Sequence, residues 1–516
     1  LPWQTAARAV VIQIDITSGG VFMKLNTGSI LAVLAILVVP GLSGCAATVG
    51  QSSIASVSGP QTFADTTGTI TTYTAAGTID HNSAFFQKLG TNQRTCNTCH
   101  QPDQAMSISA ANTLALFNSS GGGDPLFTAI DGANCATAAT GDKEAHSVIL
   151  DKGLIRIAIE LPASTQFSIT AVGDPYGCAV AIDPDTDRQI LSVYRRPLPS
   201  TNLNFVSDVM WDTRETIDPL STASTFQANL ATDLTQQMLN AVTTHEQGTT
   251  APSSAQITSI LNLQESLYTA QSSDTLAGLL SANGATGGPT NLAAVTFYPG
   301  INDAFGQDPE GRAFNRNAMT MFTAWQNSAD TQRASIARGE NLFNTARIAI
   351  ANVGGFVNNA APGGGPGGPG GAGVVNGNCS TCHDTPNVGN HSLPLPLDTG
   401  VAHIPYAETD PNIVAALGTL TPETLPIYQI TGCTNAAGQP VTYTTTDPGK
   451  GLISGLCADV NLVKIPILRG LAARAPYFHD GSANDLMEVV NFYNARFRMN
   501  LNPGQKTDLV NFLNSL

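Results

Sequence analysis

The chain has 516 residues, of which only 12% are charged, and a net charge of −15. An acidic, sparsely charged chain is poorly suited to neutralising phosphates, which argues against nucleic acid and leaves a surface that would attract a basic partner. At roughly 100 to 200 residues per domain, this length allows two cores plus insertions.

Residues 1–44 read as an address rather than as structure. Residues 1–22 look like an upstream extension. Met23-Lys24 then opens a short basic region, 30–39 is an apolar run, and Leu42-Ser43-Gly44-Cys45 closes it. The run is short for a retained span, so a removed signal is expected. The segment resembles a bacterial lipoprotein signal. That resemblance implies export, acylation of Cys45 and a periplasm-facing lipoprotein that touches the membrane only through its lipid. Ala46 after the Cys favours the outer membrane. Residues 45–84 are rich in Ser, Thr, Gly and Ala and suit a flexible tether.

Cys96-Asn97-Thr98-Cys99-His100 comes next, and it is repeated as Cys379-Ser380-Thr381-Cys382-His383. C-x-x-C-H is the attachment signature of a c-type haem. Thiols three residues apart on one turn reach the two vinyl groups of one porphyrin, and the adjoining imidazole swings under the iron. Neither copy has a second C-x-x-C at the distance of a zinc ribbon. The expected cofactors are therefore two covalently bound c-type haems, on Cys96 and Cys99 and on Cys379 and Cys382. His100 and His383 are the expected iron ligands.

Cys135, Cys178, Cys433 and Cys457 remain. In an oxidising compartment an even remainder reads as two disulfides, with buried free thiols as the alternative. Cys135–Cys178 with Cys433–Cys457 is the simplest of three connectivities. Between the first two, Ile155, Ile157 and Ile159 alternate and Phe167 and Ile169 follow, which predicts a small β insertion. Helical periodicity appears over 222–247, over 254–270 with Ser253 or Ser254 as cap, and over 333–344. The Gly-Pro tract at 363–373 can form neither helix nor packed strand. Two more helices are expected, at 484–497 and 504–516.

Tyr194-Arg195-Arg196-Pro197, Met210-Trp211-Asp212-Thr213-Arg214, Arg469-Gly470 and Ala475-Pro476-Tyr477-Phe478-His479-Asp480-Gly481 complete a recognisable order. Together with the twin haem motifs they resemble the di-haem cytochrome c peroxidase and MauG family, over roughly residues 85–516. The resemblance implies a mainly α fold with two cytochrome-c-like haem domains. The first, over 85–328, would be peroxidatic and carry the disulfide-closed β insertion at 135–178. The second, over 329–516, would transfer electrons and carry a Gly/Pro loop at 354–376.

In that family a Trp between the haems relays electrons, a position matched by Trp211; a buried anchor is the plainer role for it. Family peroxidases place a Gln and a Glu over the first haem. Gln237 matches the Gln, and His245, with Glu246 beside it, stands near the Glu position. His245 could move protons for O–O cleavage, ligate the iron, or sit exposed at a helix end. At the second haem the axial position holds Tyr493, as in MauG-like members, where the peroxidases carry Met. Met487 and Met499 lie six residues either side of Tyr493, and at about 3.6 residues per turn neither shares its side of a helix. Leu486, Val490 and Tyr493 share one face, and a core Tyr is the alternative.

The family also holds a calcium ion on backbone carbonyls that fall at Arg474 and Pro476. The side-chain amide expected beside them is here Arg196, a residue that repels a cation. The implied activity is reduction of hydrogen peroxide, with electrons from a small cytochrome or from an oxidised protein or small-molecule substrate. A pure electron-transfer cytochrome without peroxidase activity is the competing reading, and a degenerate scaffold is a third.

Overall fold

The structure is a computed structural model that describes residues 57–217, 222–304, 306, 308–351, 353–355, 375–383, 395–402, 424–435 and 438–516. The expected signal, Cys45 and the tract at 363–373 lie outside the described residues. Four strands open the described chain: β1 (Val57–Ser58), β2 (Gln61–Ala64), β3 (Gly68–Thr74) and β4 (Thr78–Ile79). This stretch was expected to belong to a tether. Its Thr residues, with Ile70 and Tyr73, are instead strand formers, because a β-branched or aromatic side chain packs well on a pleated face. Thr62 bonds Thr71 at 2.9 Å across the β2–β3 pair.

Helices α1 (Ala110–Ser120) and α2 (Ser147–Lys152) lead into β5 (Ile155–Glu160), β6 (Ser168–Gly173), β7 (Val180–Ile182) and β8 (Gln189–Arg195). Next come α3 (Phe226–Thr244) and α4 (Ser254–Ser266). Ser253 caps α4, and its side chain and that of Gln256 each serve the other's backbone N–H. The periodicity suggested helix as far as residue 270. The chain turns extended at Leu267 instead, forming β9 (Leu267–Asp274) and then β10 (Gly278–Leu279). Strand β9 pairs with β3, and Thr72 meets Thr269 there at 2.8 Å.

A short turn, α5 (Pro289–Leu292), precedes α6 (Thr331–Thr345), β11 (Ile348–Ile350) and β12 (Val375–Gly377). The chain closes with β13 (Ile427–Thr434), β14 (Pro440–Thr445), the single turn α7 (Gly451–Ser454), α8 (Leu486–Arg496) and α9 (Pro503–Asn514). Helices α6 and α9 cross closely at Gly339, where a Cβ would stand 2.0 Å from the Asp508 carbonyl oxygen. Their apolar faces meet in a core around Phe343, Phe512 and Trp325.

The expectation of a mainly α fold with two cytochrome-c-like haem domains is overturned. Helix accounts for 32% of the described residues and strand for 19%. The strands form five small sheets, all antiparallel among the described residues. Nor is the β insertion confined to the first half. Strand β13 pairs with β6 on one side and β14 on the other, so one sheet draws on both halves of the chain. The β5–β8–β7 sheet packs against it. Ile159, Ile169, Leu191 and Val193 share a core with Tyr428, Ile430 and Leu452. The Tyr428 hydroxyl is buried and donates toward the carbonyls of Ser192 at 2.7 Å and Ala179 at 3.0 Å. Cys135 is bonded to Cys178 with Cα atoms 6.1 Å apart, and Cys433 to Cys457 with Cα atoms 5.6 Å apart.

Candidate functional site

The two C-x-x-C-H segments adopt the same local structure. Cys96–Thr98 and Cys379–Thr381 are each one 3-10 turn, and each following His donates its N–H to the first cysteine's carbonyl, at 3.1 Å and 3.0 Å. The shared Thr explains the shared turn: Thr98 Oγ1 accepts from the Thr95 N–H, and Thr381 Oγ1 from the Asn378 N–H, both at 3.0 Å. Asn378 is pinned in turn to the carbonyls of Asn344 and Arg316. All four motif cysteines are unbridged, whereas the other four described cysteines are paired.

Each turn opens into its own apolar cavity. The first, enclosing ≈ 1390 Å³ of space free of atoms with its mouth included, is lined by Cys96, Cys99 and His100 and by Gln237 and His245 of the α3 face. The second, of ≈ 1550 Å³, is lined by Cys379, Cys382 and His383 and by Tyr493 of α8. Trp211 lines both. It is buried, its Nε1 donates to the Arg196 carbonyl at 2.7 Å, and its own carbonyl accepts from the Lys464 N–H at 2.7 Å. The indole thus stands in the wall between the cavities.

In the first cavity, His100 Nδ1 donates to the Met106 carbonyl at 3.1 Å, which leaves Nε2 with its lone pair. Burial lowers this imidazole to about 4, against the raising effect of the Met106 carbonyl, so the neutral, ligand-competent form is held. Opposite groups come from α3. Gln237, Ala241 and His245 follow at four-residue steps and all reach the cavity. His245 ends the helix with its side chain 27% exposed, and its Nδ1 is 2.8 Å from Asp131 Oδ2. Arg94 binds the same oxygen at 2.8 Å. Burial works to raise the Asp131 carboxyl, but its bonds to His245 and Arg94 outweigh this and hold it below its ordinary value. The side chain of the neighbouring Glu246 lies 3.7 Å from Cys96 Sγ and accepts from the Leu89 N–H at 3.0 Å.

In the second cavity, Tyr493 sits among Phe478, Phe492 and Phe497, stacked on the last at 5.8 Å. Burial raises its phenol well above the ordinary value, so the anion forms only with a cation at hand. Met499 lines this cavity too. Met499 would face away from Tyr493 only if the helix continued through it. The helix ends at Arg496, and left-handed residues at Arg498 and Asn500 turn the chain back.

A buried charge network adjoins Trp211. Arg195 bonds Asp212 at 2.5 Å and Asp447 at 2.6 and 2.9 Å, and Arg214 adds a second cation on Asp212. Asp447 follows β14 and lies 3.7 Å from the buried His479 Nε2. Sequence reasoning singled out the Trp and the His motifs but gave no role to Asp131, Arg94, Asp447 or Met499. Arg94, two residues before the first motif, and Met499, six residues after Tyr493, had neighbours that could have drawn attention to them.

The implied calcium does not fit these residues. The Arg474 carbonyl accepts from the Arg196 guanidinium at 2.7 Å, so the oxygen a metal would need is already engaged. Among the described residues no group of three or more His, Cys, Asp or Glu is placed to hold a metal ion by itself.

Against known proteins, the chain shows similarity to a peroxidase-like oxidoreductase of the cytochrome c peroxidase type. The relative is cytochrome-c peroxidase IdrP2 from Denitromonas iodatirespirans, 31% identical over 147 residues. The match covers 27% of this chain and 36% of that protein, so it spans well under half of the relative's length. No family model matches the chain, and no solved structure matches it.

Proposed function

We propose that the protein is a di-haem c-type oxidoreductase of the cytochrome c peroxidase and MauG type that reduces hydrogen peroxide. The supporting observation is the twinned turn: two pairs of unbridged thiols, each followed by a His, open into two large apolar cavities that share one indole wall. Arg474, on the wall of the second cavity, has a buried Nε without a partner, which suits the carboxylate edge of a porphyrin. The partial likeness to a cytochrome-c peroxidase points to haem and to peroxide.

Bound haem would supply the redox chemistry. The chain's own residues do the rest. Cys96, Cys99, Cys379 and Cys382 would hold the haem covalently, and His100 and His383 would offer nitrogens to its iron. His245, oriented through Nδ1 by Asp131, presents Nε2 as the group that takes a proton from the inner oxygen of peroxide and returns it to the departing one. Gln237 can donate a hydrogen bond in the same space. Trp211 offers a π-system common to both sites for electrons arriving by way of the second. A periplasm-facing lipoprotein anchored at Cys45 is the matching location. The net charge of −15 suits a basic electron donor, such as a small cytochrome.

His245 and His100 line the same cavity, and this specific observation keeps the second reading, a pure electron-transfer cytochrome with His245 as a second axial ligand. Mass analysis of the mature protein should show two covalent haems. A resting-state electron paramagnetic resonance spectrum then separates the readings. High-spin ferric signal that changes on adding peroxide supports the peroxidase, and two low-spin centres inert to peroxide support the electron carrier.

A further inference from the structure

Arg196 is the most densely connected residue between the two cavities. Its N–H donates to the His479 carbonyl at 2.7 Å, and its own carbonyl receives the Trp211 indole N–H. Its guanidinium donates to four backbone carbonyls from three separate segments: Lys152 at 3.1 Å, Gly153 at 3.2 Å, Arg474 at 2.7 Å, and Ile108. Among the described residues no carboxylate pairs with it. A ring of carbonyl oxygens without a counter-anion is the coordination chemistry of a hard cation such as calcium, which takes six to eight oxygens at about 2.3–2.6 Å. Here the positive charge is delivered covalently.

The surroundings are shaped for that head group. A Cβ on Gly153 would lie 2.0 Å from Arg196 Nη1, and Gly153 has φ +58°, so a side chain there meets both a clash and an unfavourable backbone. The charge is costly where it sits. Burial, with the nearby Arg474 adding to it, brings Arg196 down to about 9, which still leaves it protonated at neutral pH. An uncompensated buried cation is retained only where its hydrogen bonds offset desolvation, and four carbonyl acceptors do so here.

We infer that the Arg196 guanidinium is the resident cation of this carbonyl cage, and that it ties the segment before His479 to Ile108 and to Lys152–Gly153 without a metal ion. Arg196 is thus a positioning residue, and the inference stands whether or not the two sites carry haem.

The test uses the full-length isolated protein with whatever cofactors it carries. Elemental analysis after gel filtration should find no stoichiometric calcium, and EGTA should leave Tm unchanged. Arg196→Gln, which replaces the cation by an amide oxygen, should lower Tm by about 5 °C. Added calcium, but not magnesium, should recover most of that loss, because magnesium sheds water reluctantly and demands tighter octahedral geometry. A merely structural arginine would give no calcium-specific recovery. One calcium per wild-type chain, or a fall in wild-type Tm with EGTA, overturns the inference. So does a folded Arg196→Gln that ignores calcium. If that variant does not fold, the wild-type calcium content decides by itself.

Discussion

The His479 ring lies 6.0 Å, centroid to centroid, from that of Trp211, tilted by 59°. His479 lines the second cavity beside Trp211, whereas Trp211 lines the first cavity as well. Replacing Trp211 by Phe removes the bond to the Arg196 carbonyl, worth about 1 kcal/mol in stability. It also removes the indole shared by the two sites. We expect haem content to hold, Tm to fall slightly, and peroxide turnover with an external electron donor to fall much further than that stability change would explain. Steady-state kinetics beside a thermal melt check this. Unchanged turnover would leave Trp211 an anchor.

Arg195 holds two buried carboxylates at once. Arg195→Ala strands Asp447 and leaves Asp212 with Arg214 alone, and should cost about 3–5 kcal/mol. Denaturant unfolding of the variant measures it directly.

The same carboxylates set an acid limit. Burial tends to raise Asp212 and Asp447, but Arg195 outweighs it, and both sit below their ordinary value of 3.8. A depressed folded pKa gives stability that is present above the unfolded value and lost as pH falls through the folded one. Tm should therefore be level down to about pH 5 and drop below pH 4. Asp447→Asn should flatten part of that slope. A melt series against pH, with and without the substitution, reads both.

His245→Ala should slow the reaction with peroxide by about 10²- to 10⁴-fold with haem content intact. Asp131→Asn keeps the size of the side chain but weakens the hold on Nδ1. It should give a smaller loss and move the pH profile of the rate. Stopped-flow mixing with peroxide measures both, and unchanged rates would remove His245 from proton delivery.

Tyr493 and Met499 compete for one cavity, and redox titration tells them apart. An anionic oxygen donor favours ferric iron, whereas a thioether favours ferrous iron. If Tyr493 is the donor, Tyr493→Met raises the second site's potential and leaves the first nearly unchanged, and Met499→Leu does nothing. A lowered potential in Met499→Leu would assign the thioether instead.

The chemistry-bearing turns were legible in the sequence because they are local: five residues carry both thiols and the imidazole. The helix at Phe226–Thr244 was legible too, and its four-residue step places Gln237 and His245 together. What escaped was non-local. Asp131 reaches His245 from 114 positions away, and no spacing announces such a pair. Strand β3 was hidden because its Thr-rich composition also suits a linker, and its partners β2 and β9 decide between them. Met499 escaped for a narrower reason. The helix ends at Arg496, so a six-residue offset from Tyr493 does not fix the side on which Met499 falls.

The sheet shared by β6 and β13 also has a consequence for how the protein is made. When β6 leaves the ribosome, the strand that will cover it is some 250 residues away. At about 5–20 residues per second that interval is on the order of tens of seconds. Through it Ile169 and Leu191, fully covered in the finished protein, have no Tyr428 or Ile430 to pack against. Strand β6 has a bare edge until β13 arrives, and a fragment cut after residue 328 would keep that edge open indefinitely.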